Sequence, residues 1–221
     1  MTQKIYHAFF ITIFNLAFWG CESANNRAAK AANKAAIAAY ETDFSDPSIL
    51  DEDWVVENGD WKIEDGALIG EGYAMGNVGI WLNKPLSDNI EIEYEISGVA
   101  NNDLNCIIAG NGKSWSGYPV IVGGLHGTKC RIAIAEIRND DEVHHERLGE
   151  AAFEPEANRK YRVTVRRTPE MISLSIDGEE ILRSDDTNFA HDLDNQYFGF
   201  YTWDNKVSIS RLTIKPTDSD G

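Results

Sequence analysis

Cations are scarce in this sequence. Lys and Arg number 20 against 36 Asp and Glu, a formal net charge of −16 over 221 residues. A nucleic-acid binder needs clustered cations to displace the counterions condensed on phosphate, so DNA and RNA are excluded as natural partners. The same balance disfavours adsorption to anionic lipid, and membrane attachment would require a separate anchor. Cysteine is scarcer still, at three. No Cys-x-x-Cys, His-x-x-x-His, phosphate-binding Walker loop or dinucleotide fingerprint occurs, so zinc, nucleotide and nicotinamide chemistry lack a motif. Long apolar runs are missing too, with one exception at the N-terminus.

That exception is residues 5–20, IYHAFFITIFNLAFWG, preceded by Lys4 and interrupted by His7 and Asn15. It is shorter than the ~20 residues of a membrane-spanning helix and suits the apolar region of a signal peptide. Cys21 follows Gly20 directly and resembles the acylated cysteine of bacterial lipoproteins, although Phe18 and Trp19 stand where Leu and a small residue are usual. An ordinary secretory signal or an uncleaved anchor helix are the alternatives. All three export the domain, to the cell envelope or the medium. The expected organisation is a signal over 1–20 with lipidation at Cys21, an Ala-rich tether over 21–39, one domain over 40–215 and a disordered tail over 216–221. Within the tether, Ala24–Ala39 has helix propensity but almost no apolar face to bury.

From Tyr40 the helical period gives way to short alternating segments bounded by Gly, Asn and Asp. Candidate strands are 54–57, 61–65, 67–70, 78–83, 90–97, 104–110, 118–124, 130–137, 161–167, 171–177, 197–203 and 207–214. Asn58-Gly59, Asp65-Gly66 and Asp177-Gly178 accept positive φ and predict hairpins. So many strands in one domain imply an all-β fold of two stacked antiparallel sheets, a jelly-roll sandwich, because a single sheet would leave one apolar face wet.

The segments Phe44, Trp54, Asn58-Gly59-Asp60-Trp61 and Asp65-Gly66-Ala67-Leu68, with the closing Tyr197-Phe198-Gly199-Phe200-Tyr201-Thr202-Trp203 and Leu212-Thr213-Ile214, resemble the first and last strands of concanavalin A-like lectin/glucanase jelly rolls. The opening is also similar to secreted 3-keto-disaccharide hydrolase domains, and the 103–131 region to jelly rolls associated with polysaccharide breakdown. The resemblance implies the fold and a carbohydrate partner. It does not imply one chemistry, since lectins, hydrolases, lyases and adhesion modules share this framework.

Strand alternation separates the two faces of each candidate strand. Val78, Ile80, Leu82, Cys106, Ile108, Cys130, Ile132, Phe198 and Phe200 are expected inside. The opposite face carries Trp81, Asn105, Arg131, Tyr197, Tyr201 and Trp203. Flat rings beside small residues make a shelf for the C–H faces of sugars, while Asn and Arg read hydroxyls or carboxylates. Such a shelf predicts Trp81 and Trp203 partly exposed on one concave face; the alternative is a second hydrophobic layer covered by loops. For a proton-moving role, His126 and Tyr118 are the candidates, near Asn105 and Arg131, with the residue types an elimination requires.

Glu91, Glu93 and Glu95 share a strand face and superficially resemble the carboxylate signature of jelly-roll glucanases. They also read as a solvated face with Ile92, Tyr94 and Ile96 in the core, and that reading is preferred. His144, His145 and His191 read as surface residues in charged stretches. No cofactor is required by any motif; a structural calcium ion is a candidate, with Asp43 and Asp204 beside the first and last strands as its ligands. Cys106 and Cys130 face inward on strands that could be neighbours, which predicts a disulfide or a buried thiol pair. The leading expectation is an exported jelly roll that binds and processes a polysaccharide or oligosaccharide by hydrolysis or elimination; the alternative is a non-catalytic glycan-binding or surface-display module.

Overall fold

A computed structural model of the chain describes residues 36–37, 39–72, 77–114, 116–137, 143–185 and 196–217, with the backbone alone at 77, 125–126, 133–137 and 143–146. Cys21, the signal region and most of the tether lie outside the described residues, as does His191.

Among the described residues, fifteen strands, numbered along the chain, form two antiparallel sheets. One sheet runs β13 (Glu179–Ser184), β12 (Ile172–Ile176), β11 (Tyr161–Arg167), β6 (Ile90–Gly98), β15 (Lys206–Pro216), β4 (Ala67–Glu71), β3 (Asp60–Glu64), with β1 (Tyr40–Thr42) also paired to β15. The other runs β10 (Val143–Ala152), β9 (Lys129–Ile137), β8 (Tyr118–Gly123), β7 (Asn105–Gly110), β14 (Tyr197–Trp203), β5 (Asn77–Leu82), β2 (Trp54–Val56). Two short helical turns, α1 (Ile49–Asp53) and α2 (Gly124–Gly127), complete it. This is the jelly-roll sandwich that the alternation predicts.

The core lies between the sheets, filled by one side of each strand's two-residue period. On β6, Ile90, Ile92, Tyr94 and Ile96 are buried while Glu91, Glu93 and Glu95 face out. On β15 the inward set shifts from Val207 and Ile209 to Leu212 and Ile214, because a bulge at Ser210 inserts one residue into the pairing. From the opposite sheet come Val78, Ile80, Leu82, Cys106, Ile108, Val120, Val122, Ile132, Phe198 and Phe200. Arg167 is also inward and buried, with its guanidinium 2.8 Å from the Asp88 carboxylate at the sandwich edge.

Two of the expected hairpins form. Asp65-Gly66 and Asp177-Gly178 both have positive φ and join β3 to β4 and β12 to β13. Asn58-Gly59 does not close a hairpin, because β2 and β3 belong to different sheets. It carries the chain across the sandwich and is fixed there by the Asn58 side chain, which accepts the Gly79 N–H at 2.8 Å. At the N-terminal side, Ile37 forms an isolated parallel bridge with Leu86, so the end of the predicted tether is docked on the domain.

Cys106 and Cys130 are inward and buried, as alternation predicts, but they are free thiols. They sit on β7 and β9, with β8 between them. Two strand spacings amount to ~10 Å, beyond the Cα separation that a disulfide spans. Burial pushes both thiols up to about 12. Neither should react with an alkylating reagent in the folded protein, and both should label fully once the chain is denatured without reductant. Peptide mass analysis checks this; labelling of either cysteine in native protein would contradict the buried assignment.

Candidate functional site

The outer face of the seven-stranded sheet is where most of the candidate residues come together. Tyr201 pairs with Asn105 on one side and Gly79 on the other, and Gly199 with Trp81 and Ile107. Farther across, Ile121 pairs with Arg131 and Arg131 with Glu150. Trp81, Asn105, Arg131, Tyr197, Tyr201 and Trp203 therefore share one face, but they are not equally open. Trp203 is 49% exposed and Trp81 only 3%.

Trp81 is covered by the segment between β7 and β8. A bulge breaks the β7 pairing between Tyr197 and Gly199, and Ala109 there takes a left-handed φ of 53°. The chain thus leaves the sheet and folds back over it. Glu57, fixed beside β5 by its N–H bond to the Gly79 carbonyl, secures this strap. Its carboxylate accepts Trp81 Nε1–H at 3.0 Å, Ser114 Oγ–H at 2.6 Å and Ser114 N–H at 3.2 Å. Trp81, Ile107 and Tyr201, joined by Ile121 and Tyr197, form a second small hydrophobic cluster. The inner part of the expected shelf is a covered layer, and the role of an exposed stacking platform falls to Trp203 alone among those aromatics.

Asn105 is buried and occupied: its Oδ1 accepts the Val122 N–H at 3.0 Å, and its Nδ2 donates to Asp103 at 3.1 Å. It shapes the 99–104 loop instead of reaching a ligand. Asn102 donates to the other Asp103 oxygen at 2.7 Å. Beneath them, buried Asn205 accepts the Ala100 and Lys206 N–H groups at 3.1 and 2.8 Å, tying this loop to the β14–β15 turn. Burial, and next the Asp103 charge, push the Tyr201 phenol well above its usual value, against a smaller opposing effect of Arg131. Tyr201 is therefore a neutral hydroxyl at neutral pH.

Arg131 bonds Glu150 at 3.0 Å, Lys129 contacts the same carboxylate, and Arg147 lies 3.3 Å from it. The hydrogen bonds from Lys129 and Arg131 hold the Glu150 carboxyl below the usual carboxylate range. Glu150 stays ionised at neutral pH and is unsuited to donating a proton.

Tyr118, expected as a proton-moving group, is in the core. With Val120 and Val122 it faces the opposite sheet and is 1% exposed, so no substrate on the outer face can reach it. The alternation of Tyr118, Val120 and Val122 carries that signal in the sequence. His126 belongs to α2, whose backbone lies against the 99–104 loop: a Cβ at Gly127 would fall 2.4 Å from the Asn101 carbonyl oxygen. Its side chain is outside the described ones, as are those of His144 and His145 on β10.

The calcium pair is not brought together. Asp43 follows the β1 residue that pairs with Leu212, and Asp204 precedes the start of β15, a separation on the order of 20 Å along the strand. Asp43 instead accepts the Ser45 N–H at 2.9 Å in a local turn. Among the described residues no group of three His, Cys, Asp or Glu side chains is arranged to hold a metal ion.

Glu91 and Glu95 lie on the other sheet. Glu91 pairs with Lys215 at 2.9 Å and Arg166 at 3.4 Å, and Glu95 with Lys160 at 3.3 Å and the Ser210 hydroxyl at 2.9 Å. They form the solvated, ion-paired face that the bland reading of the alternation gives.

Neither a protein-family model nor a curated protein matches the chain. Solved structures do. The carbohydrate-binding module CBM66 of Bacillus subtilis is 15% identical with a TM-score of 0.60, the match covering 73% of this chain and 94% of that one. A Bacillus subtilis protein of unknown function with a galectin-like fold is 16% identical with a TM-score of 0.62, covering 82% and 97%. A prokaryotic β-1,3-1,4-glucanase (lichenase) derived from a mouse hindgut metagenome is 12% identical with a TM-score of 0.58, covering 82% and 100%. At these identities the likenesses show the fold, a concanavalin A-like jelly roll, in agreement with the resemblance of its first and last strands.

Proposed function

We propose that this domain binds a carbohydrate at the rim of the seven-stranded sheet formed by Trp203, Asn102, Asp103, Lys129 and Arg131. The observation that carries the reading is Trp203: a half-exposed indole at the end of β14, with its carbonyl 3.5 Å from Asn102 Nδ2 and a loop of amides and a carboxylate beside it. An exposed ring offers a face for sugar C–H groups, and neighbouring Asn, Asp and Lys offer donors and acceptors for hydroxyls. The similar carbohydrate-binding module, glucanase and galectin-like structures support the same class of partner.

Binding is better supported than bond cleavage. Glu57 and Glu150, carboxylates beside this face, each stand three strand spacings, ~14 Å, from the strand that Asp103 precedes. Paired glycosidase carboxylates stand roughly 5 to 10 Å apart. Export of the domain, with an acyl anchor at Cys21, remains part of this proposal and rests on the N-terminal sequence.

Trp203→Ala tests the reading. Because the ring is half in solvent, stability should change by no more than ~0.5 kcal/mol. Affinity for glycans bound by the parent on a carbohydrate array should fall by roughly 1 to 3 kcal/mol, as for other aromatic anchors. Thermal melts and titrations read the two effects separately; unchanged affinity would remove Trp203 from the site.

A further inference from the structure

We infer that the carbohydrate taken up on this face carries an acid group, a uronate carboxylate or a sulfate ester, held by Lys129, Arg131 and Arg147; the inference rests on the carbohydrate reading above. These three cations converge on one carboxylate, Glu150. Three against one leaves two net positive charges, in a chain whose formal net charge is −16. Elsewhere among the described ion pairs no carboxylate gathers so many. Glu91 meets two cations, Lys215 and Arg166, but Glu93 follows it on the same outward strand face.

Sheet pairing does not account for the excess. Arg131 lies directly opposite Glu150, and that single cross-strand ion pair already matches the carboxylate. Lys129, two residues before Arg131 on the same strand, adds a like charge beside it, and so does Arg147. Arg147 reaches the cluster only through a bulge. By plain alternation it would take the opposite face from Glu150, three residues on; the register shift between Arg147 and Gly149 instead sets it against Ala133, with its guanidinium 3.3 Å from the carboxylate. A bulge that re-aims a side chain in this way is a common device beside binding sites.

The cations reach solvent further than the acid does. The Glu150 side chain is 16% exposed, against 41% for Lys129 and 57% for Arg147. In the described contacts each cation spends one nitrogen on Glu150, Lys129 Nζ on Oε1 and Arg131 Nη2 and Arg147 Nη1 on Oε2. An ammonium has three N–H donors and a guanidinium five, so most of them remain for a second oxyanion, and the guanidinium fork suits the paired oxygens of a carboxylate or sulfate. The negative charge of the rest of the domain is screened over ~8 Å at physiological ionic strength, so the local excess decides what is held at contact. β9 is three strand spacings, ~14 Å, from β14, which places the acid group on a different sugar unit from the one stacked on Trp203.

The experiment uses the full chain and pairs of oligosaccharides that differ only in the acid group: polyuronate fragments beside the same fragments with their carboxyls reduced to alcohols, and sulfated fragments beside their desulfated forms. In one of the two series the acidic member should bind more tightly than its neutral counterpart by roughly tenfold or more, the scale of a charge-assisted hydrogen bond. Which series shows the difference separates carboxylate from sulfate. Arg147→Gln should lower that ratio severalfold, Lys129→Gln added to it should lower it further, and Arg147→Lys, which keeps the charge, should retain most of it. A melt of each variant checks that the domain stays folded. Equal binding of acidic and neutral members by the parent, or a preference that the double substitution leaves intact, would overturn the inference while leaving the carbohydrate reading standing. Absence of binding to every carbohydrate would overturn both.

Discussion

Phe200→Ala should cost about 3 to 5 kcal/mol of folding free energy. The ring is 1% exposed and stands at the centre of the aromatic core. Its centroid is 4.9 Å from Phe198, 5.1 Å from Tyr94 and 5.9 Å from Trp54, so contacts from both sheets are lost together. Collapse into the cavity is limited, because Phe200 is flanked by Ile80 and Cys106 on paired strands, whose backbones cannot approach without breaking ladder hydrogen bonds. Urea unfolding followed by tryptophan fluorescence measures the loss, with the slope unchanged if the denatured state is the same. A loss below ~1 kcal/mol would mean that the inter-sheet core is not packed around this ring.

That core was largely legible in the sequence. Alternation along β6 and β14 alone places Ile92, Tyr94, Phe198 and Phe200 between the sheets, since a shift of one residue would exchange the apolar and polar faces. The strands it missed have a common cause in two cases. β10 and β13 each stand at one edge of their sheet, and their charged sequences, His-His-Glu-Arg and Glu-Glu-Ile-Leu-Arg, are what edges carry to discourage further pairing. β1 is three residues long, too short to show a period.

Alternation assigns a face to a residue but does not identify the neighbouring strand. That is why alternation places Cys106 and Cys130 inside but leaves a disulfide and a pair of buried thiols both open, until β8 is seen to lie between them. The same limit applies to the site. The shared face of Trp81, Tyr201 and Trp203 follows from spacing, whereas its covering depends on a bond between Glu57 and Ser114 that no local pattern encodes. Glu57 carries no signal of its own in the sequence beyond its place before Asn58-Gly59. The carboxylate becomes notable only when the fold brings Trp81 and Ser114 to it.

The consequence is sharpest at Trp81, where an exposed sugar platform and a covered strut predict opposite results. As a platform, Trp81→Ala would spare stability. As a strut it should destabilise by about 3 to 5 kcal/mol, the range for buried Trp or Phe reduced to Ala. The loss has two parts. Removing the indole opens a cavity above Gly110 and Gly199, whose lack of side chains leaves nothing to fill it. It also takes from Glu57 the N–H donor at 3.0 Å, leaving the carboxylate with Ser114 alone among its described hydrogen-bond donors. Trp81→Phe separates them: it keeps most of the ring and loses the N–H, and should cost about 1 to 3 kcal/mol. Denaturation of both variants beside Trp203→Ala makes the comparison internal, since two tryptophans on one sheet face should differ by several kcal/mol solely through the strap. If Trp81→Ala proves as stable as Trp203→Ala, the strap does not close over this indole.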